Sequence, residues 1–115
     1  MASYANLIVD QGADFETTVV LEDESSDPID LTGYALTGQI RRTYKSSTAT
    51  NFTLANQGMP TNGVILLRLP GSVSAAMKSG RYVYDVYANN SVQNKTYKVL
   101  EGMLEIVPSV TRSGA

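Results

Sequence analysis

The residues best able to do chemistry in this chain are carboxylates, because the sequence contains no histidine and no cysteine. That composition excludes Ser-His and Cys-His catalytic pairs, imidazole or thiolate metal sites, and disulfides. Asp10, Asp14 and Glu16 lie close together, and paired carboxylates can share acid–base work. Gln11-Gly12 between them favours the plainer interpretation, a bend between two strand segments. We therefore expect no catalytic residue and no cofactor here.

A second acidic group falls in a predicted turn and could offer oxygen ligands to calcium. It comprises Glu22, Asp23, Glu24, Asp27 and Asp30. The order of ligands differs from that of an EF-hand loop, and the serines and proline among them are typical turn residues. We expect a solvated hairpin tip and no metal site.

Tyrosine is the remaining candidate, with seven residues against two phenylalanines. Tyr82 and Tyr84 are expected in the core, with their hydroxyls at its rim. Tyr44, Tyr87 and Tyr97 fall on outward positions, where contact with a partner explains an aromatic side chain better than solvent does. With the two tails, they make up the predicted protein-interface residues: Tyr44, Tyr87, Tyr97, Met1, Tyr4, Val110 and Arg112.

The composition predicts one soluble domain over residues 1–115, with short N- and C-terminal extensions. The chain is 43% hydrophobic and 17% charged, which is too apolar for a disordered protein. A net charge of −2 argues against a nucleic-acid partner. The N-terminus does not resemble a signal peptide, and the longest apolar run is too short to cross a membrane, so we expect a cytosolic product without a membrane partner.

The alternation of apolar and polar residues predicts that most of these side chains lie on β-strands. Strands are predicted at 6–9, 15–21, 34–42, 52–54, 64–69, 81–88 and 97–107, and a short helix over 72–78 with Ser72 as a candidate N-cap. The expected fold is an all-β, immunoglobulin-like antiparallel β-sandwich of about seven or eight strands. The predicted core is Phe15, Val19, Leu21, Leu36, Ile40, Ile65, Leu67, Tyr82, Tyr84, Val86, Leu104 and Ile106.

Several segments together resemble a known protein family. They are DQGADF at 10–15, PIDLTGY at 28–34, GQIR at 38–41, SGRYVYDV at 79–86, LEG at 100–102, VP at 107–108 and VTR at 110–112. Their order and spacing resemble small β-sandwich structural proteins of tailed bacteriophages, especially cyanophage versions. Such modules occur as accessory virion proteins and at the start of baseplate and tail-fibre proteins. The resemblance implies no catalytic residue, and its motifs have structural interpretations. Gly102, for example, predicts a bulge or a close backbone approach in the last strand.

The resemblance implies a non-enzymatic virion component, assembled in the host cytoplasm. The favoured role is a capsid cement or decoration protein that forms homo-oligomers and binds the major capsid protein. The alternative is a tail, neck or baseplate adaptor, with a link to host attachment. No collagen-like repeat or coiled-coil heptad, features usual in fibre proteins, is present. Two rivals from other classes stay open: a carboxylate-dependent carbohydrate-active enzyme, and a carbohydrate-binding module, against which the absence of tryptophan counts.

Overall fold

The computed structural model describes residues 3–22, 25 and 27–110. Within them, one α-helix, α1 (Gly71–Ala75), and a 3-10 turn at Pro60–Asn62 accompany nine strands in two sheets. The strands are β1 (Ser3–Tyr4), β2 (Leu7–Asp10), β3 (Phe15–Val20), β4 (Ala35–Arg41), β5 (Thr50–Asn51), β6 (Thr53–Asn56), β7 (Val64–Leu69), β8 (Gly80–Asn90) and β9 (Lys95–Val107). The predicted all-β sandwich with one short helix is confirmed.

The order of the strands is that of an immunoglobulin-like sandwich. The larger sheet runs β1-β9-β8-β4-β5, with β2 also paired to β9, and the smaller sheet runs β3-β7-β6. In immunoglobulin nomenclature, the seven strands from β3 to β9 correspond in chain order to strands B, C, C′, D, E, F and G. Most pairs are antiparallel, as predicted, but β1 and β2 run parallel to β9.

The predicted strand at 52–54 falls where the chain changes sheet: β5 ends at Asn51 in the larger sheet, and β6 begins at Thr53 in the smaller one. Phe52 lies between β5 and β6 with its side chain buried, and its amide donates to the carbonyl of Gly38 over 3.0 Å. A Cβ on Gly38 would lie only 3.1–3.2 Å from side-chain atoms of Phe52, Leu54 and Val86. The glycine therefore makes room for the side chains that meet where the chain changes sheet.

The core lies between the two sheets and contains every residue predicted for it. The buried members of that set are Leu21, Ile40, Ile65, Leu67, Tyr84, Val86, Leu104 and Ile106. The other members, Phe15, Val19, Leu36 and Tyr82, are partly buried and pack against the core. The phase of the alternation is thus correct at every residue of this set.

The helix begins one residue and ends three residues earlier than the predicted range 72–78, and its N-cap is Pro70 rather than Ser72. Pro70 has a φ of −59°, which suits entry into a helix, and it makes no side-chain capping bond. The carboxylate of Asp14 instead accepts a hydrogen bond from the amide of Gly71 over 2.7 Å. A residue from a distant segment therefore caps the helix, which local sequence could not show.

The segment between β2 and β3 is clasped to the helix by further hydrogen bonds. The Gln11 side-chain amide donates to the carbonyl of Met77 over 2.7 Å, and the Gly12 amide donates to the hydroxyl of the buried Ser74 over 3.0 Å. This clasp gives the DQGADF segment a structural role, since it fixes the crossover from the larger sheet to the smaller one.

Tyr82 forms a tyrosine corner at the start of β8. Its hydroxyl donates to the carbonyl of Lys78 over 2.7 Å, and the guanidinium of Arg42 lies 5.0 Å from the centre of its ring. Immunoglobulin-like domains carry such a tyrosine where the E–F connection enters strand F. Among the described residues, no helix has the length and apolar character needed to span a membrane.

Candidate protein-interaction surface

Two of the predicted interface tyrosines line one depression on the outer face of the larger sheet. Tyr87 points outward from β8 and is 38% exposed, while Tyr44 lies in the loop after β4 and is 77% exposed. Both line a shallow depression of about 340 Å³, together with Val83. We call this region the tyrosine surface, defined as Thr37, Gln39, Arg41, Tyr44, Val83, Asp85 and Tyr87.

The loop that carries Tyr44 is pinned to the sheet beneath it. Arg41 donates from Nη1 to the carbonyl of Ser46 over 2.5 Å and from Nη2 to Oε1 of Gln39 over 3.1 Å. The amide of Thr43 donates to the hydroxyl of Ser46 over 3.0 Å, which closes the turn locally. These hydrogen bonds hold the loop that carries Tyr44 in place. Binding of a partner to Tyr44 would therefore cost less conformational entropy than binding to a loop without such bonds.

Charged residues on β8 and β9 border the tyrosine surface. Asp85 and Glu101 are directly opposite each other on neighbouring strands, and Lys98 is opposite Tyr87. The Lys98 ammonium lies 3.4 Å from Oε1 of Glu101. This hydrogen bond, reinforced by the negative charge of Glu101, raises the pKa of Lys98. The lysine offsets the repulsion expected between two carboxylates on adjacent strands.

The three carboxylates near the N-terminus are not brought together. Asp14 binds the amide of Gly71, whereas Glu16 lies on the outer face of the smaller sheet, 3.2 Å from Nε of Arg68. Asp10 ends β2 in the larger sheet. Asp14 and Glu16 thus engage different partners in different parts of the molecule.

The acidic turn is built as a hairpin where the structure describes it. Glu22 and Pro28 form an isolated antiparallel bridge at its base, while Asp23 and Glu24 lie outside the described residues. Asp30 accepts a hydrogen bond from the amide of Thr32 over 2.9 Å. Hydrogen bonds from the side chain and amide of Thr32 lower the pKa of Asp30. Across the described ranges, no group of three or more acidic residues is placed to hold a metal.

Tyr97 is exposed, but the prediction that it lies on the outward face was wrong. The register of β8 and β9 shifts between Val86 and Tyr87, so that Tyr97 is opposite the buried Ala88. The extra residue of this β-bulge turns the first part of β9 over by one face. The Tyr97 ring lies 6.1 Å from the ring of Tyr34 and borders a separate depression of about 180 Å³.

The remaining predicted interface residues lie away from the tyrosine surface or outside the described residues. Tyr4 is exposed on β1, and Val110 is exposed after β9. Met1 and Arg112 fall outside the described residues. Ile8, which is not among the predicted interface residues, is also exposed on β2 and borders a further depression of about 370 Å³ with Met103. The alternation of Leu7–Asp10 already indicated that Ile8 points outward.

Comparison with known proteins supports the fold. No protein-family model and no curated protein matches the sequence significantly. The structure is similar to a crystal structure of InlP from Listeria monocytogenes, with a TM-score of 0.50 and 11% identity over 92% of this chain and 28% of that one. At that identity, the likeness shows the fold alone.

A family 123 glycoside hydrolase from Clostridium perfringens is more distant. Its TM-score is 0.44 and its identity 12%, over 95% of this chain and 24% of the hydrolase. The chain thus spans about a quarter of the length of each of these two structures. A fold of this kind hosts many functions.

Proposed function

We propose that this chain is a non-enzymatic structural protein of a tailed-bacteriophage virion that binds other virion proteins. The sequence resemblance supports the virion, since its motifs occur in order along most of the chain. Their structural roles are compatible with it: DQGADF forms the clasp to α1, and the start of SGRYVYDV carries the tyrosine corner. These residues serve folding, and so a shared pattern of this kind points to a shared architecture rather than to a shared reaction.

The tyrosine surface is the observation that carries the binding role. Protein interfaces combine an apolar, aromatic centre with a polar rim, and tyrosine and arginine are enriched at their energetic centres. Here Tyr44, Tyr87 and Val83 supply the centre, and Arg41 and Asp85 supply part of the rim. We infer that another virion protein covers this surface.

The same face argues for binding over catalysis. A glycosidase would place two carboxylates on either side of a bound sugar. The carboxylates of Asp85 and Glu101 belong to adjacent strands on one open sheet face, where Lys98 neutralises Glu101. That arrangement suits a charged rim better than an acid–base pair.

Within the virion, we favour a cement or decoration protein on the capsid. The tyrosine surface lies on the larger sheet, and the edges of the smaller sheet lie elsewhere on the molecule. Two separate contact regions suit a small protein that links neighbouring capsomers. The alternative is an adaptor in the tail, neck or baseplate, where the same two regions would join successive components.

The binding role is tested by adding purified protein to phage particles that lack it. We expect the wild-type chain to sediment with the particles, and a Tyr44→Ala/Tyr87→Ala double variant to bind about 30-fold more weakly or worse, because aromatic anchors at an interface contribute about 2 kcal/mol or more. Met59→Ala is the matched control, since it truncates an exposed apolar side chain outside the tyrosine surface.

Equal binding by the double variant and Met59→Ala would overturn the assignment of the tyrosine surface. Failure of the wild-type protein to join particles would overturn the virion role itself. Thermal unfolding of all three proteins verifies that the substitutions act on binding and not on folding.

A further inference from the structure

The strand β3 forms an open edge of the smaller sheet. Leu21, directly after it, donates its amide to the carbonyl of Gly63, so the odd-numbered residues of this segment bond to the β7 side. Backbone groups alternate in direction along a strand. The amides and carbonyls of Glu16, Thr18 and Val20 therefore point away from the sheet, and no described residue forms a backbone hydrogen bond with them across that edge.

This edge lacks the features that usually prevent strands from pairing with other chains. Such features include proline, lysine, a bulge or a very short strand. The six residues of β3 read FETTVV and pair with β7 in unbroken register. Their one charge, on Glu16, is balanced by Arg68 at 3.2 Å. By contrast, β5 has two residues and β6 has four.

We propose that β3 pairs with β3 of a second copy of this chain, antiparallel and around a two-fold axis at Thr18. The two smaller sheets would join into one continuous sheet of six strands. A two-fold contact of this kind uses the same edge twice and closes on itself. The inference deepens the proposed assembly role and supplies the homo-oligomer within it.

The register follows from the pattern of backbone groups and charges. An axis at Thr18 places Thr18 opposite its own copy and Glu16 opposite Val20, so that all three outward-pointing residues form hydrogen-bonded pairs. An axis at Glu16 would place two carboxylates opposite each other, and one at Val19 would place Glu16 opposite Glu22. Like charges in directly opposed positions are unfavourable. An axis at Thr17 would place Val20 opposite Asp14, outside β3, so Thr18 is the axis that pairs all three outward-pointing residues within the strand.

The contact also covers apolar surface. Phe15 and Val19 are only partly buried at the margin of the core, and no described strand lies beside β3 on that side. A second copy would bring its own Phe15 and Val19 alongside them. Backbone hydrogen bonds would set the register, and these side chains would contribute hydrophobic affinity.

The first test compares Thr18→Pro with Thr18→Val by sedimentation equilibrium at protein concentrations up to about 1 mM. Proline removes an outward-pointing amide that the monomer does not use, whereas valine keeps the amide and the strand preference. We expect dimers for the wild type and Thr18→Val, and dimerisation weakened more than tenfold in Thr18→Pro. A monomeric wild type, or unchanged dimerisation of a folded Thr18→Pro, would overturn the proposal.

The second test reads the register and does not depend on the proline variant folding. The chain has no cysteine, so that a single introduced thiol is unambiguous. We expect Thr18→Cys to form a disulfide-linked dimer on mild oxidation, since the two residues are opposite each other, and Val20→Cys to stay largely unlinked. Equal linking of both variants, or of neither, would contradict the register. These measurements use purified protein alone, so they can fail while particle binding succeeds, and the reverse.

Discussion

At the residue scale, the carbonyl of Ala5, between β1 and β2, packs against Tyr84 of β8 and Gly102 of β9. The Tyr84 hydroxyl donates to this oxygen over 2.6 Å, and a Cβ on Gly102 would lie 1.9 Å from it. Glycine at position 102 is thus required by the backbone that crosses it. The sequence indicated a close approach or a bulge at Gly102, but it could not name Ala5 as the neighbour because the two are far apart in the chain.

Tyr84 provides a prediction about alkaline pH. Burial, and next the charge of Tyr4, raise the pKa of Tyr84 far above its usual value, so that the folded protein retains the proton that the unfolded chain loses near pH 10. The stabilising contribution is complete below that pH and declines as the pH rises above it. We expect Tyr84→Phe to cost about 1–3 kcal/mol at neutral pH, through loss of the hydrogen bond to Ala5.

That cost should shrink as the pH rises. Urea unfolding at about pH 8 and about pH 11 measures the stability difference between Tyr84→Phe and the wild type at both ends of this range. Tyr44→Phe is the control, since it removes the hydroxyl of an exposed tyrosine. A stability difference for Tyr84→Phe that stays constant between the two pH values would contradict the account.

At the element scale, patterns along the chain predicted strands where one sheet uses the whole segment. The strand at Val64–Leu69 has the predicted bounds, and β3 differs from its prediction only at Leu21. The errors fall where a distant contact decides the outcome. Phe52 separates two strands because the chain changes sheets there, and the bulge in β9 turns Tyr97 to the other face. Neither the change of sheet nor the bulge alters the alternation of apolar and polar residues in the sequence.

The assignment of inner and outer faces can be measured with two isoleucines. Ile40 is 1% exposed in the core, and Ile8 is 65% exposed on β2, so the same truncation removes buried surface in one case and solvated surface in the other. We expect Ile40→Ala to lower the free energy of unfolding by about 2–5 kcal/mol, through lost burial and a cavity. Ile8→Ala should cost less than about 1 kcal/mol. Similar losses in chemical denaturation would mean that the faces are assigned incorrectly.

At the scale of the whole molecule, the sandwich leaves two regions available for contacts. The tyrosine surface lies on the outer face of the larger sheet, and β3 forms an open edge of the smaller one. The sequence predicted the fold class and placed Tyr44 and Tyr87 outward. It could not show that they share one depression, since Tyr44 reaches it through a loop whose position depends on Arg41 and Ser46.

The central claim is that this chain is a component of the virion, and a reconstruction of the intact particle by electron cryomicroscopy tests it most directly. We expect copies of the sandwich on the capsid, with Tyr44 and Tyr87 against a neighbouring virion protein and β3 paired with its own copy. Copies found in the tail, neck or baseplate would contradict the capsid assignment and favour the adaptor. A complete particle without this sandwich, made while the chain is present in infected cells, would contradict the central claim.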